Sequence, residues 1–333
     1  MKKLPPTIRT LLPIIIFLIF GFCNRTTVKA QSTEYNFPPQ TTYQYQYVKG
    51  IRMFYREAGD KNRPTIVLLH GYPSSSHTYR NLIPMLATEY HVIAPDNIGS
   101  GYSDRFNPNN VTYTFDTLAN FLNALLDSIA VRDYVMYMQD FGAPVGYRMY
   151  AKNPKRITHL IVQNANAYLE GLTTDRKLFF KSAHEDTSKS KIDFLVGLTS
   201  KETIINKQYL FDIDSSIHYI QSPDAWIHDL YFLQSKADRK IQVQLFQDYY
   251  NNLLSYPYWQ ELLRNNQPKT LIVWGEKDIK FTSDGARAYL RDLPNAELHL
   301  LNAGHFAVEE KGREIAILIL NFLKNNKINT SLQ

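Results

Sequence analysis

The chain has 333 residues, 44% hydrophobic and 20% charged, which suits a globular protein able to bury a large core. Its formal charge is +6, but Lys2, Lys3, Arg9, Arg25 and Lys29 lie in the first 30 residues with no acid among them, leaving +1 for the remainder. Charge therefore gives no support to a nucleic-acid partner, and a single cysteine, Cys23, excludes a disulfide framework.

Residues 1–30 have the pattern of a secretory signal: a basic start, the apolar run "LLPIIIFLIFGF" (11–22), and small residues in "VKA" (28–30) before a cut at Ala30–Gln31. The apolar run is short for a membrane span, which needs about 20 residues. Phe22 precedes Cys23 where a lipoprotein signal needs a small residue. The expectation is an exported protein, periplasmic or secreted, free of the membrane after cleavage. Its mature chain from Gln31 has no cysteine, and so no thiol catalysis.

After a polar, Pro-bearing lead-in (31–42), "YQYQYV" (43–48) and "IRMFYREAG" (51–59) read as an antiparallel pair around a glycine turn. "TIVLL" (65–69) reads as a buried parallel strand. Strands then alternate with helices: helix 80–90, strand 91–96, helix 115–130, strand 134–138, a helix from about Gly142, and strand 157–164. From 167 to 266 the alternation gives way to helical, tyrosine-rich sequence. It resumes with strand 270–275, a helix near 284–292, strand 297–301 and helix 313–323. The pattern predicts an α/β class with a mostly parallel, doubly wound sheet. Its parts are a signal (1–30), a first core part (31–166), an inserted helical cap (167–266) after strand 6, and a second core part (267–333).

In such sheets the site lies beyond the carboxyl ends of the strands. Those ends read "HGYP" (70–73), "PDNIGSGYSD" (95–104), "QDFG" (139–142), "QNANAY" (163–168), "WGEKD" (274–278) and "AGHF" (303–306). A carboxylate such as Asp140 at a strand-to-helix corner most simply caps the helix. Taken together, however, the six ends resemble those of α/β-hydrolases of the epoxide hydrolase and haloalkane dehalogenase branch, over roughly residues 45–325.

That resemblance implies that Asp140 is a nucleophile on a sharp elbow, with Gly142, Ala143 and Pro144 on its far side. Met138 stands where a glycine often precedes the nucleophile by two residues. An aspartate is already ionised at neutral pH and can attack a saturated carbon to give an enzyme ester. His305 would be the general base that activates water against that ester, and Asp278 the acid that orients it. Glu276 competes for the last role, but the "WG-x-x-D" spacing favours Asp278. The oxyanion hole would be the backbone N–H groups of Tyr72 and Phe141, with His70, Gly71 and Pro73 shaping the first loop. Asp104 matches the family's structural aspartate.

The resemblance leaves the chemistry between two reactions. Opening an epoxide needs a phenol to protonate the alkoxide; Tyr249 and Tyr250 in "DYYNNLLSYPYW" (248–259) are the candidates, with Tyr209 and Tyr219 behind them. Displacing a halide needs N–H donors, which Phe141 lacks, leaving Trp226 and Trp259. Epoxide hydrolysis leads, dehalogenation follows, and an ester or lactone hydrolase or a non-catalytic binding relative comes after. The remaining histidines have no metal-ligand spacing and there is no nucleotide motif, so no cofactor or metal is expected. The expected partner is a small, largely apolar molecule.

Overall fold

The computed structural model describes residues 37–328. The signal and its cleavage site lie outside the described residues. Among these, no helix is long and apolar enough to cross a membrane.

Eight strands form one sheet: β1 (Thr42–Val48), β2 (Ile51–Ala58), β3 (Thr65–Leu69), β4 (His91–Pro95), β5 (Tyr134–Gln139), β6 (Ile157–Gln163), β7 (Lys269–Gly275) and β8 (Glu297–Leu301). Their order is β1-β2-β4-β3-β5-β6-β7-β8. The two pairings made by β2 are antiparallel, and every other pairing is parallel. The inner parallel strands β3, β5 and β7 are largely apolar because helices cover both faces, while the edge strand β8 is only partly buried. One layer packs α1 (Leu82–Leu86) against the last helix, and the other holds α2 (Phe115–Ser128) and α3 (Gly142–Lys152). Thr114 starts α2 by accepting the Thr117 N–H on its hydroxyl.

Between β6 and β7 stands a run of helices: α4 (Thr174–Glu185), α5 (Lys189–Leu198), α6 (Lys201–Thr203) leading into a π-helical turn (Ile204–Tyr209), α7 (Pro223–Tyr231) and α8 (Lys236–Asn266). The 31-residue α8 opens with a capping box between Ser235 and Asp238. It ends on Gln267 in the left-handed region (φ 44°), just before Pro268. Helix α9 (Ser283–Asp292) follows β7, and α10 (Ala307–Asn325) closes the chain.

Two expected helices differ in extent. Of the segment expected as helix 80–90, only the five-residue α1 is α-helical, with Pro84 inside it, and a short 3-10 turn, Ser76–Tyr79, precedes it. The last helix starts six residues earlier than expected and crosses a kink where Lys311 has φ −128°. Gly312 beside that kink interrupts the apolar period, which hides the earlier start.

Candidate active site

Asp140 leaves β5 with φ 49°, a left-handed conformation that a non-glycine residue adopts only under local constraint. The constraint is crowding on both sides. A side chain at Gly142 would stand 2.2 Å from the Leu69 carbonyl oxygen, and one at Gly71 would stand 2.3 Å from Asp140 Cβ. Helix α3 therefore turns back directly over the end of β3. Met138 fits because Gly146, about one turn into that fold-back, leaves room for its sulfur: a Cβ there would come within 2.4 Å of it.

The Asp140 side chain does not cap the helix. Only its backbone carbonyl accepts from Ala143 N, at 3.0 Å, and α3 has no side-chain cap. The carboxylate faces the space above the sheet, where Oδ1 accepts the Tyr72 N–H at 2.6 Å and Oδ2 lies 3.4 Å from His305 Nε2. Phe141 N–H stands at the head of α3, among donors that a helix cannot satisfy internally. The "HGYP" loop is held by His70, whose Nδ1 donates to the Gly71 carbonyl while Nε2 accepts from Asn97 N, at 3.1 Å each. Burial lowers the His70 pKa, which suits this neutral tautomer. Gln139 accepts the Gly71 N–H, and the Tyr72–Pro73 peptide is cis.

His305 Nδ1 donates to Asp278 Oδ2 at 2.7 Å. Asp278 also accepts from Lys280 N, Phe281 N and Asn164 Nδ2, so its lone pairs are fully used. Burial alone would raise the Asp278 pKa, but the charge of His305 and these hydrogen bonds hold it below the usual value. Burial likewise pushes His305 down. The charge of Asp278 and the hydrogen bonds to both aspartates outweigh that, raising it from 6.5 to about 9. Glu276 is exposed and takes no part.

Asn164, at the end of β6 with φ 46°, has a role that the sequence reading did not assign. Its side chain bonds Asp278 and accepts Gly275 N, while its carbonyl accepts the Asp140 N–H at 3.3 Å. It thus ties the ends of β5, β6 and β7 together. Asp104 is not the buried structural carboxylate. It forms a surface pair with Arg52 at 3.1 Å, while the fully buried Asp96 binds Ser76 N and Tyr102 N and so joins the two loops.

Of the aromatic candidates, Tyr249 faces the site. It is fully buried between Phe180 (3.9 Å, stacked) and Phe141 (5.2 Å), and among the described residues its hydroxyl has no hydrogen-bond partner but the Tyr256 hydroxyl. Burial, with the nearby Tyr256 and Asp140, pushes its pKa well up, so the phenol stays protonated. Tyr250 points about 100° around α8, is half-buried and packs on His184. Tyr256, two turns along from Tyr249, was not expected. Its hydroxyl is also buried, pairs with that of Tyr249, and it too senses Asp140.

The two tryptophans lie elsewhere. Trp259 stacks on Tyr147 at 5.0 Å, and Trp226 packs on Tyr209 in a small separate cluster. Tyr209 spends its hydroxyl on Asp229 at 2.5 Å, and Tyr219 is exposed. Two surface clefts, of about 320 and 660 Å³, lie beside Arg148 and beside the β1–β2 edge, and Asp140 lines neither.

These positions meet known proteins at several points. The α/β hydrolase fold family matches residues 64–202. An uncharacterized hydrolase of Saccharomyces cerevisiae is 38% identical over 293 residues, 85% of this chain and 97% of that protein. The chain belongs to the α/β-hydrolase fold family. This hydrolase also resembles a haloalkane dehalogenase of Psychrobacter cryohalolentis, 27% identical over 307 residues, 89% of this chain and 96% of that protein. Its fold matches the solved epoxide hydrolase CorEH with a TM-score of 0.68 at 20% identity, over 86% of this chain and all of that one.

The tight approach at Gly71 carries its own expected result. Gly71→Ala displaces the Asp140 carboxylate and lowers turnover by about 100-fold or more, with about 1–3 kcal/mol lost from overpacking. Steady-state rates and denaturant midpoints on the same preparations check both.

Proposed function

We propose that the hydrolase opens epoxides to diols through a covalent ester on Asp140, with the helices between β6 and β7 acting as its cap. The observation that carries this reading is the buried Tyr249 phenol, held among the described residues only by the Tyr256 hydroxyl and packed on Phe141 beside a carboxylate that caps no helix. Asp140 Oδ2 forms a bond to an epoxide carbon as the ring C–O bond breaks. The electron pair goes to the ring oxygen, which takes the Tyr249 proton. Water then adds to the ester carbonyl, giving a proton to His305 Nε2 while Asp278 steadies the imidazolium. Tyr72 N–H already holds Oδ1, the oxygen that becomes the oxyanion, and Phe141 N–H supplies a second donor. Collapse releases the diol, whose leaving oxygen takes the His305 proton. The second water proton returns to Tyr249 and leaves Asp140 ionised.

His305 fits both halves of this cycle. As a cation it pairs with two aspartates. Esterification removes the Asp140 charge, and with it one of the interactions that raise the His305 pKa, so the Nε2 proton passes to solvent and the neutral imidazole is the base for water; a proton from solvent restores the cation once Asp140 is ionised again.

Dehalogenation draws support from the relative named for it, but Phe141 offers no side-chain N–H and Trp259 is occupied against Tyr147. Parallel assays of diol, halide ion and acid from epoxides, bromoalkanes and short esters separate the readings. Diol without halide is expected; halide release with no diol overturns the proposal. Tyr249→Phe lowers epoxide turnover about 100-fold or more, and a rate within twofold of the parent removes Tyr249 as the acid.

A further inference from the structure

Arg176 sits in the first turn of α4, where its backbone N–H is taken by the Thr173 cap. A cation at that end of a helix opposes the helix dipole, so the helix itself gives no reason for it. Other cations of the neighbourhood find carboxylates: Lys181 pairs with Glu185, Lys189 with Asp193 and Arg291 with Glu170. Arg176 does not. Its Nε is buried without a hydrogen-bond partner, and its guanidinium lies 5.3 Å from the ring centres of both Phe179 and Phe180.

Those rings lead straight to the site. Phe180 stacks on Tyr249, which packs on Phe141, the residue after Asp140. Burial lowers the Arg176 pKa, while Tyr249, Asp140 and Asp278 oppose that loss of charge. A second cation stands close by. Lys280 is buried, follows the Asp278 turn, and gives its ammonium a single hydrogen bond, to the Gln208 carbonyl at 3.3 Å. Arg176, Asp212, Asp278 and Asp140 all act on its charge. Two cations with donors to spare therefore lie within the field of the reacting carboxylate, and Arg176 rests on the rings that lead to it.

We propose that Arg176, supported by Lys280, forms an anion-binding subsite beside Asp140, and that the substrate carries a carboxylate on the side away from the attacked carbon. Desolvated guanidinium–carboxylate bonds are strong and directional, and this pair replaces the partner that Arg176 lacks among the described residues. The expected substrate is then an epoxide of a carboxylic acid, not the largely apolar molecule that the sequence alone suggests. This step rests on the epoxide reading for its substrate class, but the subsite itself does not.

The test uses binding and turnover together. Calorimetry compares 3-phenylpropanoate with its amide on the mature chain and on Arg176→Gln, while kcat/KM compares a phenyl-substituted epoxy acid with the matching epoxy amide. The proposal expects the parent to favour the acid about tenfold or more in both measurements. Arg176→Gln loses that preference, weakening the acid far more than the amide, and Arg176→Lys restores part of it. Carboxylate binding lost in Arg176→Gln, with no epoxide turned over by the parent, keeps the subsite and overturns the epoxide reading. Turnover of the amide, with the acid bound no better, overturns the subsite and keeps the reading. An equal loss on acid and amide assigns Arg176 to the leaving oxygen and likewise overturns the subsite.

Discussion

Asp140→Ala lowers epoxide turnover by at least about 10⁴-fold, the scale expected when a covalent nucleophile is removed. The reason lies in how little else at the corner can substitute. Asp140 Oδ2 is the oxygen facing His305, while Oδ1 is already committed to Tyr72 N–H. With the side chain gone, the oxyanion donors and His305 remain, but nothing forms the carbon–oxygen bond. Folding survives the change, because the carboxylate caps no helix. Alanine at φ 49° carries some backbone strain, and Asp140→Gly avoids it. Both variants are expected to melt within a few degrees of the parent while remaining inactive. Recovery of more than about a tenth of the parent rate in either rules out nucleophilic attack by Asp140.

His305→Gln separates the two half-reactions. The nucleophile is intact, so one alkylation proceeds, but the base that activates water is missing and the ester accumulates. Intact-mass spectra are expected to show one substrate mass added per chain, located by digestion on the peptide holding Asp140. Steady-state turnover falls by about 10³-fold or more. Asp278→Asn is expected to be milder at the first step, because Asn164, Lys280 N and Phe281 N keep the turn in place, and slow at the second. A parent-like steady state in His305→Gln, with no adduct, contradicts the assigned division of labour.

Much of this was legible in the chain because parallel strands announce themselves. β3 and β8 match their expected limits, since β3 is an apolar run and β8 alternates polar with leucine, each ended by loop residues. The strand ends then carry Asp140, Asp278 and His305 to one place, and local sequence shows each of them. Asn164 was quoted without a role because its function depends on β6 lying between β5 and β7, which is a property of sheet order.

The inserted helices were harder. Along α8 the buried residues Tyr249, Asn252, Tyr256 and Trp259 follow helical spacing, and that stripe could have favoured Tyr249 over Tyr250 and brought in Tyr256. The same stripe could not show that Tyr249 meets Phe141 beside Asp140 while Trp259 meets Tyr147, because α8 runs past more than one packing partner. Arg176 lay beyond sequence reasoning for a similar reason. A lone arginine in a helix's first turn gives no sign that its charge will be buried over two phenylalanines.

The central claim is that the oxygen entering the diol comes from the protein. A single turnover with enzyme in excess in H₂¹⁸O tests it directly, since water attacks the ester carbonyl carbon and not the substrate carbon. The account predicts a first-turnover diol free of ¹⁸O, with the label in the Asp140 carboxylate of the digested protein. Label in the diol and none on Asp140 would mean that water attacks the epoxide itself, and would contradict the covalent mechanism.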